Sequence, residues 1–330
     1  FLYQLLGRLF GTNNFPDCSN MCHESSGVGM TESIATGKGT VTLEDFEKAD
    51  AIFVFGQNPG TNHPRMLSEL EKASKRGARI VSFNPLKEAG LLNFTHPQNA
   101  VDMLLGRSTP ISSHYYQVQI GGDMAAVRAM AKFILEKAES DRSVLDHDFL
   151  ERHTHGFEEY RRLVAETPWE VLLEQSGLDR QQIEEAAEVY LSAGSVICCW
   201  AMGLTQHRHG VANIQEVVNL LLLRGNIGRP GAGACPVRGH SNVQGDRTMG
   251  ITEEPKEEFL ARLEKEFGFT APRHHGYSTV HTIKAMAEGR VGFFLGMGGN
   301  FASATPDSDL TWQALRRCGM PVHVPTHLNR

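Results

Sequence analysis

Apolar positions along this chain follow two periods. Short continuous apolar runs, AIFVF at 51–55, ARIVSF at 78–83 and SVICCW at 195–200, read as strands buried on both faces. Between them apolar residues recur at helical spacing. Met66, Leu67, Leu70 and Ala73 mark one face of a helix predicted from about Asn62 to Arg76, and TLEDFEKAD ahead of the first run reads as a short capped helix. Strand, helix, strand in that order predicts a right-handed crossover feeding a parallel sheet. SSHYYQVQI is β-like, and after a Gly-Gly-Asp junction Ala126, Met130, Phe133 and Ile134 share one face of a further helix, with Asp123 expected as its N-cap. HDFLERHTHGFEEYRRLVAETPWEVL and DRQQIEEAAEVYLSAG continue as helices with solvated charged faces. SVICCW is followed by a loop and then a long apolar helix, VANIQEVVNLLLLRGNIGRPGAG. From EEPKEEFLARLEKEFGF to MPVHV the pattern is helix, strand, helix, strand, a second α/β unit. At 330 residues the chain exceeds what one core usually holds, so two domains are expected.

The loops at the carboxyl ends of the predicted strands are where an open α/β sheet takes ligands. Gly56–Pro64 and Asn84–Glu88 are rich in Gly, Asn and Pro, residues that let backbone N–H groups approach a ligand. GLTQHRHG at 203–210 and GMGGNFASATPD at 296–307 occupy equivalent places. The density of glycine in 225–250 is expected to exclude a regular element. The stretch GTNNFPDCSNMCHESSGVG at 11–29 also reads as poorly helical and sets Cys22 beside His23. A thiolate is a soft metal ligand or a nucleophile, and histidine is the side chain whose charge changes near neutral pH.

Charge narrows the function. Lys and Arg number 32 against 38 Asp and Glu, interspersed, for a net charge of −6, which leaves no basic stripe for nucleic acid. No apolar run approaches the roughly 20 residues needed to span a bilayer, and a cytoplasmic protein is expected. Six cysteines, at 18, 22, 198, 199, 235 and 318, are too few and too irregular for a disulfide framework, so reduced thiols are the default. Cys198 and Cys199 lie within a strand and read as packing residues, and His153 and His155 as surface residues. There is no GxGxxG and no Walker A sequence, so a generic NAD or ATP site is not indicated. The chain has no initiator Met, opens as if within a helix and stops just after a strand-like run, and so reads as a fragment.

GTNN, then Asp17-Cys18, then Cys22-His23 followed by Ser-Ser-Gly, resemble the stretch of molybdopterin formate dehydrogenases in which a cysteine or selenocysteine ligates the metal and histidine follows. VRGHSNVQG at 237–245 is similar to the motif whose arginine points into the substrate pocket of those enzymes. The resemblance spans essentially the whole chain. It implies an α/β fold of two doubly wound α/β/α domains with mostly parallel sheets, one inserted in the other: residues 18–240 as the inserted domain, 1–17 with 241–330 as the discontinuous one. It further implies a bis-molybdopterin guanine dinucleotide cofactor holding molybdenum or tungsten, and a 4Fe-4S cluster whose ligands would lie upstream of Phe1. An electron-transfer partner protein would receive the electrons.

Carried onto this sequence, the resemblance makes Cys22 the metal ligand, His23 a proton relay or substrate-orienting group, and Arg238 the clamp on a small anionic, formate-like substrate. Arginine suits that task because its planar fork binds a carboxylate bidentately and keeps its charge. Cofactor contacts are implied for Gly56, Gln57, Asn58, His63, Asn84, Gly203, Thr205 and Gln206, and for Gly298, Gly299 and Asn300. Glu24 departs from the small residue that often follows Cys-His and sets a carboxylate beside a site expected to take an anion. Two other classes stand beside this one: a cofactor-free hydrolase or transferase using Cys22 and His23, and a non-catalytic scaffold subunit. If the enzyme reading is right, Cys22 and Arg238 should line one cleft.

Overall fold

The structure, a computed structural model, describes residues 1–327. The chain forms two compact units, Cys22–Gly239 and a discontinuous one built from Phe1–Met21 with the residues from His240 on. The last three residues of the second expected domain, 328–330, lie outside the described ones.

The larger unit is organised on a parallel sheet of five strands: β1 (Ala51–Phe55), β2 (Arg79–Phe83), β3 (His114–Tyr116), β4 (Val196–Trp200) and β5 (Gly233–Pro236), in the order β3-β2-β1-β4-β5. Ala51 pairs with Arg79 on one side and with Val196 on the other, and the registers run unbroken to Phe83 and Trp200. Every residue of β1 and β4 is buried, which is why their sequences are continuous apolar runs rather than alternating ones. The period of two sorts these residues between two cores. Phe53, Phe55, Phe83, Cys198 and Trp200 face helices Asp123–Ala138, Arg180–Ser192 and Gly210–Leu222, while Ile52, Val54, Ile80, Ile197 and Cys199 face Leu67, Leu70 and Ala73 of helix Pro64–Arg76. Phe55 and Phe83 stack with centroids 5.0 Å apart at 20°. The strand order turns back between β1 and β4, and that is the point where a doubly wound sheet opens a crevice at its carboxyl edge.

Three local expectations change. Glu24–Ile34 is an α-helix, not an irregular stretch. Its glycines are tolerated because Gly29 lies against the helix Gly210–Leu222, where a Cβ would sit 3.0 Å from the Val211 carbonyl and 3.1 Å from Ile214: close packing, invisible to local propensity, decides the conformation. Likewise 225–250 contains β5 and a short helix, Val243–Thr248. Asp123 is not an N-cap; Gly122 holds that place, and Asp123 begins the helix with its side chain 4 % exposed.

The discontinuous unit carries a two-stranded parallel ladder, β6 (Phe293–Met297) with β7 (Met320–Val324), in register from Phe293↔Met320 to Met297↔Val324. Helices Thr279–Ala287 and Ser308–Arg317 pack together around Ile283, Met286 and Ala314. The 3₁₀ turn Cys18–Met21 is clamped within this unit. Arg247 donates to Ser19 and Glu253 and pairs with Asp17, and Asn20 donates to Glu253 at 2.9 Å.

Asp123 and His23 give the larger unit a testable pH signature. Burial pushes the Asp123 carboxyl up to about 7 and the His23 imidazole down to about 4. The Asp123 contribution is full below pH 3.8 and is lost progressively as pH rises from there to about 7; the His23 contribution is full above pH 6.5 and is lost as pH falls from there to about 4. The two slopes oppose each other, each about 1.4 kcal/mol per pH unit. Asp123→Asn is therefore expected to give a unit whose stability falls from pH 6.5 to pH 4 more steeply than in the wild type, read from thermal midpoints across that range. Equal slopes in the two proteins would show that Asp123 does not titrate as described.

Candidate functional site

Cys22 is half-buried at the entry to the helix Glu24–Ile34. Its carbonyl accepts the Thr205 hydroxyl at 2.7 Å, and the Ser25 hydroxyl donates to the Thr205 carbonyl at 3.2 Å. The loop after β4 thus fixes the backbone that presents the thiol. Thr205, expected at a cofactor, is 7 % exposed with its hydroxyl committed to this brace.

His23 is 1 % exposed and both of its ring nitrogens are bonded. Its Nε2 faces the Val237 carbonyl at 3.1 Å, and because a carbonyl only accepts, Nε2 carries the proton. Nδ1 then accepts from the Ser26 hydroxyl at 2.9 Å, and Ser26 in turn accepts from Trp200 Nε1 at 2.9 Å. Burial first, then the Arg238 charge, holds the imidazole neutral. In this structure His23 is a strut from the Cys22 turn to the end of β5, not a base aimed at the Cys22 sulfur. That arrangement removes the support for a Cys-His hydrolase, which needs a nitrogen on the nucleophile.

Arg238 follows β5 directly, half-buried, with Nη2 donating to the Gly37 carbonyl at 3.0 Å. Burial lowers its pKa, and the Cys22 sulfur acts weakly against that shift. Among the described residues no carboxylate pairs with Arg238. A cation that burial has partly stripped of water, without an acidic partner, is a strong seat for an anion.

The loops after β1, β2 and β4 complete the edge. Gly56 has φ +53°, and a Cβ on it would lie 2.7 Å from Gly203 Cα; one on Gly203 would lie 2.5 Å from Gly56 Cα. Backbone therefore meets backbone at the point where the strand order reverses, tied by the Gly203 N–H to the Gly56 carbonyl at 3.1 Å. Gln57 is 2 % exposed; its Nε2 reaches His63 at 3.3 Å and Met66 at 3.0 Å, while its Oε1 is buried without a partner. Burial lowers the pKa of His63, which lies beside the Arg238 backbone. Asn58 caps the turn Pro59–Asn62 and donates to Glu88 at 2.6 Å, and Asn84 donates to the Leu86 carbonyl at 2.9 Å, so both shape their loops. Gly203, within the short helix Met202–Thr205 that follows β4, and Gln206, its C-cap, are exposed. In the discontinuous unit Gly298 and Gly299 are exposed and Asn300 is half-exposed, following β6. His153 and His155 are exposed, and Cys198 and Cys199 fully buried, as the sequence leads one to expect.

Among the described residues no group of three or more His, Cys, Asp or Glu could hold a metal ion by itself. The buried Gln57 Oε1, an acceptor without a partner, and the Arg238 guanidinium, without a carboxylate partner among the described residues, are one acceptor and one cation that fit a large anionic group bearing N–H donors. Ser26, Trp200 and the Gly37 carbonyl escaped sequence reasoning. Ser26 lies one helical turn after His23, a signal readable only once Glu24–Ile34 is known to be helical.

Gly203→Ala is expected to cost about 1–3 kcal/mol, because the methyl must push backbone rather than a flexible side chain. Gly27→Ala, a helical site with nothing within 4 Å, should be neutral or gain up to ~1 kcal/mol. Denaturation midpoints of the two variants decide it; equal effects would remove the close approach as a constraint.

The parallel sheet edge sets a braced thiol, an arginine and glycine-rich connections in one unit, and the comparison with known proteins gives the class: a molybdopterin oxidoreductase. The chain matches the family described as molybdopterin oxidoreductase over residues 1–329, and it belongs to that family, which implies a molybdopterin cofactor carrying molybdenum. It is 51 % identical over 335 residues to Protein YdeP of Escherichia coli (strain K12), covering 100 % of this chain and 44 % of that protein. It is 55 % identical over 331 residues to an uncharacterized oxidoreductase of Mycobacterium tuberculosis (strain ATCC 25618 / H37Rv), covering 100 % of this chain and 42 % of that one. Formate dehydrogenase H of Escherichia coli (strain K12) is 29 % identical over 292 residues, 86 % of this chain and 38 % of that protein. The chain thus spans well under half of these relatives. Among solved structures, acetylene hydratase from Pelobacter acetylenicus shares the fold, with a TM-score of 0.68 at 17 % identity over 97 % of this chain and 44 % of that one. No helix among the described residues is long and apolar enough to cross a membrane.

Proposed function

We propose that this chain carries the substrate-side half of a two-electron oxidation centre acting on a small anion, formate-like in size and charge. The observation that carries the reading is a half-buried Arg238 just past the end of β5 that bonds the Gly37 carbonyl and, among the described residues, has no carboxylate partner, in the same unit as the braced Cys22 turn. Cys22 is the protein ligand to molybdenum or tungsten. When bound, the bis-molybdopterin guanine dinucleotide supplies a centre that accepts two electrons. This chain's residues do the rest. Arg238 seats and orients the anion. His23, neutral and bonded on both nitrogens, holds the Cys22 turn against the strand end that bears Arg238. The glycine edge at Gly56 and Gly203, with Gln57, Asn58, His63, Asn84 and the exposed Gln206, cradles the cofactor; Gly298, Gly299 and Asn300, after β6, are taken as further cofactor contacts. In this reading the domain expected at 18–240 is inserted in the other, with the compact unit Cys22–Gly239 as its body and Cys18–Met21 and His240 on the discontinuous side. The protein works in the cytoplasm, and electrons leave through a 4Fe-4S cluster elsewhere in the full-length protein to a partner protein.

The test is extraction of pterin and assay of metal from the full-length protein. Stoichiometric pterin dinucleotide with molybdenum or tungsten is expected. A full-length protein with metal but no pterin, or pterin but no metal, would overturn it.

A further inference from the structure

One pair of thiols plays no part in this site. β4 and β5 place Cys199 directly opposite Cys235, and the parallel register sets both side chains on the same face of the sheet. Cys198 points to the opposite core. Cys199 is fully buried, whereas Cys235 is half-exposed on the edge strand. β5 runs straight into the site: Cys235 is followed by Pro236, by Val237, whose carbonyl accepts from His23, and by Arg238.

We propose that Cys199 and Cys235 form a reversible disulfide across β4 and β5, made by a peroxide and undone by a thiol, which shifts the strand end bearing Arg238. Neighbouring strands run about 4.7–4.9 Å apart, within the Cα span of about 4.4–6.8 Å that a disulfide accepts. The bond also needs Cβ atoms about 3.5–4.5 Å apart, slightly less than the strand spacing, so its formation draws β5 inward. β5 yields most easily because it is a four-residue edge strand whose outer side is held by Thr40, the Thr40 N–H to the Ala234 carbonyl at 2.9 Å and the Ala234 N–H to Thr40 Oγ1 at 2.9 Å. The exposed partner reacts first. Cys235 takes one oxygen from the peroxide to become a sulfenic acid, releasing water or an alcohol. The Cys199 sulfur then forms the S–S bond and expels that oxygen as a second water. Overall two thiols are oxidised by one peroxide, and a dithiol reverses the step by exchange. Burial raises the pKa of the Cys199 thiol, which protects it from reacting with peroxide directly; it is the resolving group by position, opposite Cys235, and its proton leaves with the expelled hydroxide as the second water.

The bond itself stands apart from the reading of Arg238 given above; only its consequence for substrate rests on it. The test treats full-length protein, as isolated, with hydrogen peroxide and maps the thiols by mass spectrometry without reduction. The expected product is a cross-linked pair of peptides holding Cys199 and Cys235, absent from Cys235→Ser and from Cys199→Ser, retained in Cys198→Ser, and removed by dithiothreitol. Amide hydrogen exchange over 236–240 should change at least about threefold on oxidation and return on reduction. Cys235 recovered as sulfinic acid with Cys199 still a free thiol, or linked to Cys198, would overturn the pairing. A confirmed disulfide with unchanged exchange would overturn its action on the Arg238 segment.

Discussion

Replacing Cys22 by serine in the full-length protein is expected to leave pterin content near the wild-type level and to remove at least about 100-fold of turnover, since even outer partners of metal ligands are worth ~10–100-fold. The physical ground is softness. A hydroxyl is a hard, weakly acidic donor and replaces a thiolate poorly on molybdenum or tungsten. The structure makes the experiment clean. The Cys22 backbone is held by the Thr205 hydroxyl on its carbonyl, and His23 next to it is fixed by Ser26 and Val237, so the substitution alters the donor atom without releasing the turn. Cofactor assays and rates with formate and with other small anions are measured on the same preparation. Wild-type rates from the serine variant would end the ligand assignment.

Arg238→Lys is the second large effect. Lysine keeps the charge and loses the fork, so the loss should equal one strong charge-assisted hydrogen bond, about 1.5–3 kcal/mol, or roughly 10–100-fold in kcat/KM. The change should fall on anionic substrates and leave pterin content and thermal midpoint in place, because the observed protein contact of the guanidinium is a single bond to the Gly37 carbonyl. A variant that unfolds or loses pterin would show that Arg238 is a structural brace.

Much of the larger unit was legible because its signals are local and strong. A strand buried on both faces has no choice but to be continuously apolar, so AIFVF and SVICCW announced β1 and β4 directly, and the intervening periodicity announced the helix that ends at Arg76. The same logic pointed at the loops after β1, β2 and β4. Glu24–Ile34 failed that logic: its glycines and serines lower local helix preference, and only contact with the helix Gly210–Leu222 overrides it. Asp123 failed likewise, because its burial comes from the fold packed around it rather than from its neighbours in sequence.

The sequence by itself determined the class of fold, the strand–helix–strand rhythm and the residue types that chemistry needs, because period and composition are properties of neighbours along the chain. The tertiary structure alone decided what those residues do to one another. It brought Val237 to His23 across 214 positions, set Gly56 against Gly203, bonded Arg238 to the Gly37 carbonyl and faced Cys199 with Cys235. Strand order, register and desolvation arise from contacts far apart in sequence, and no local pattern encodes them.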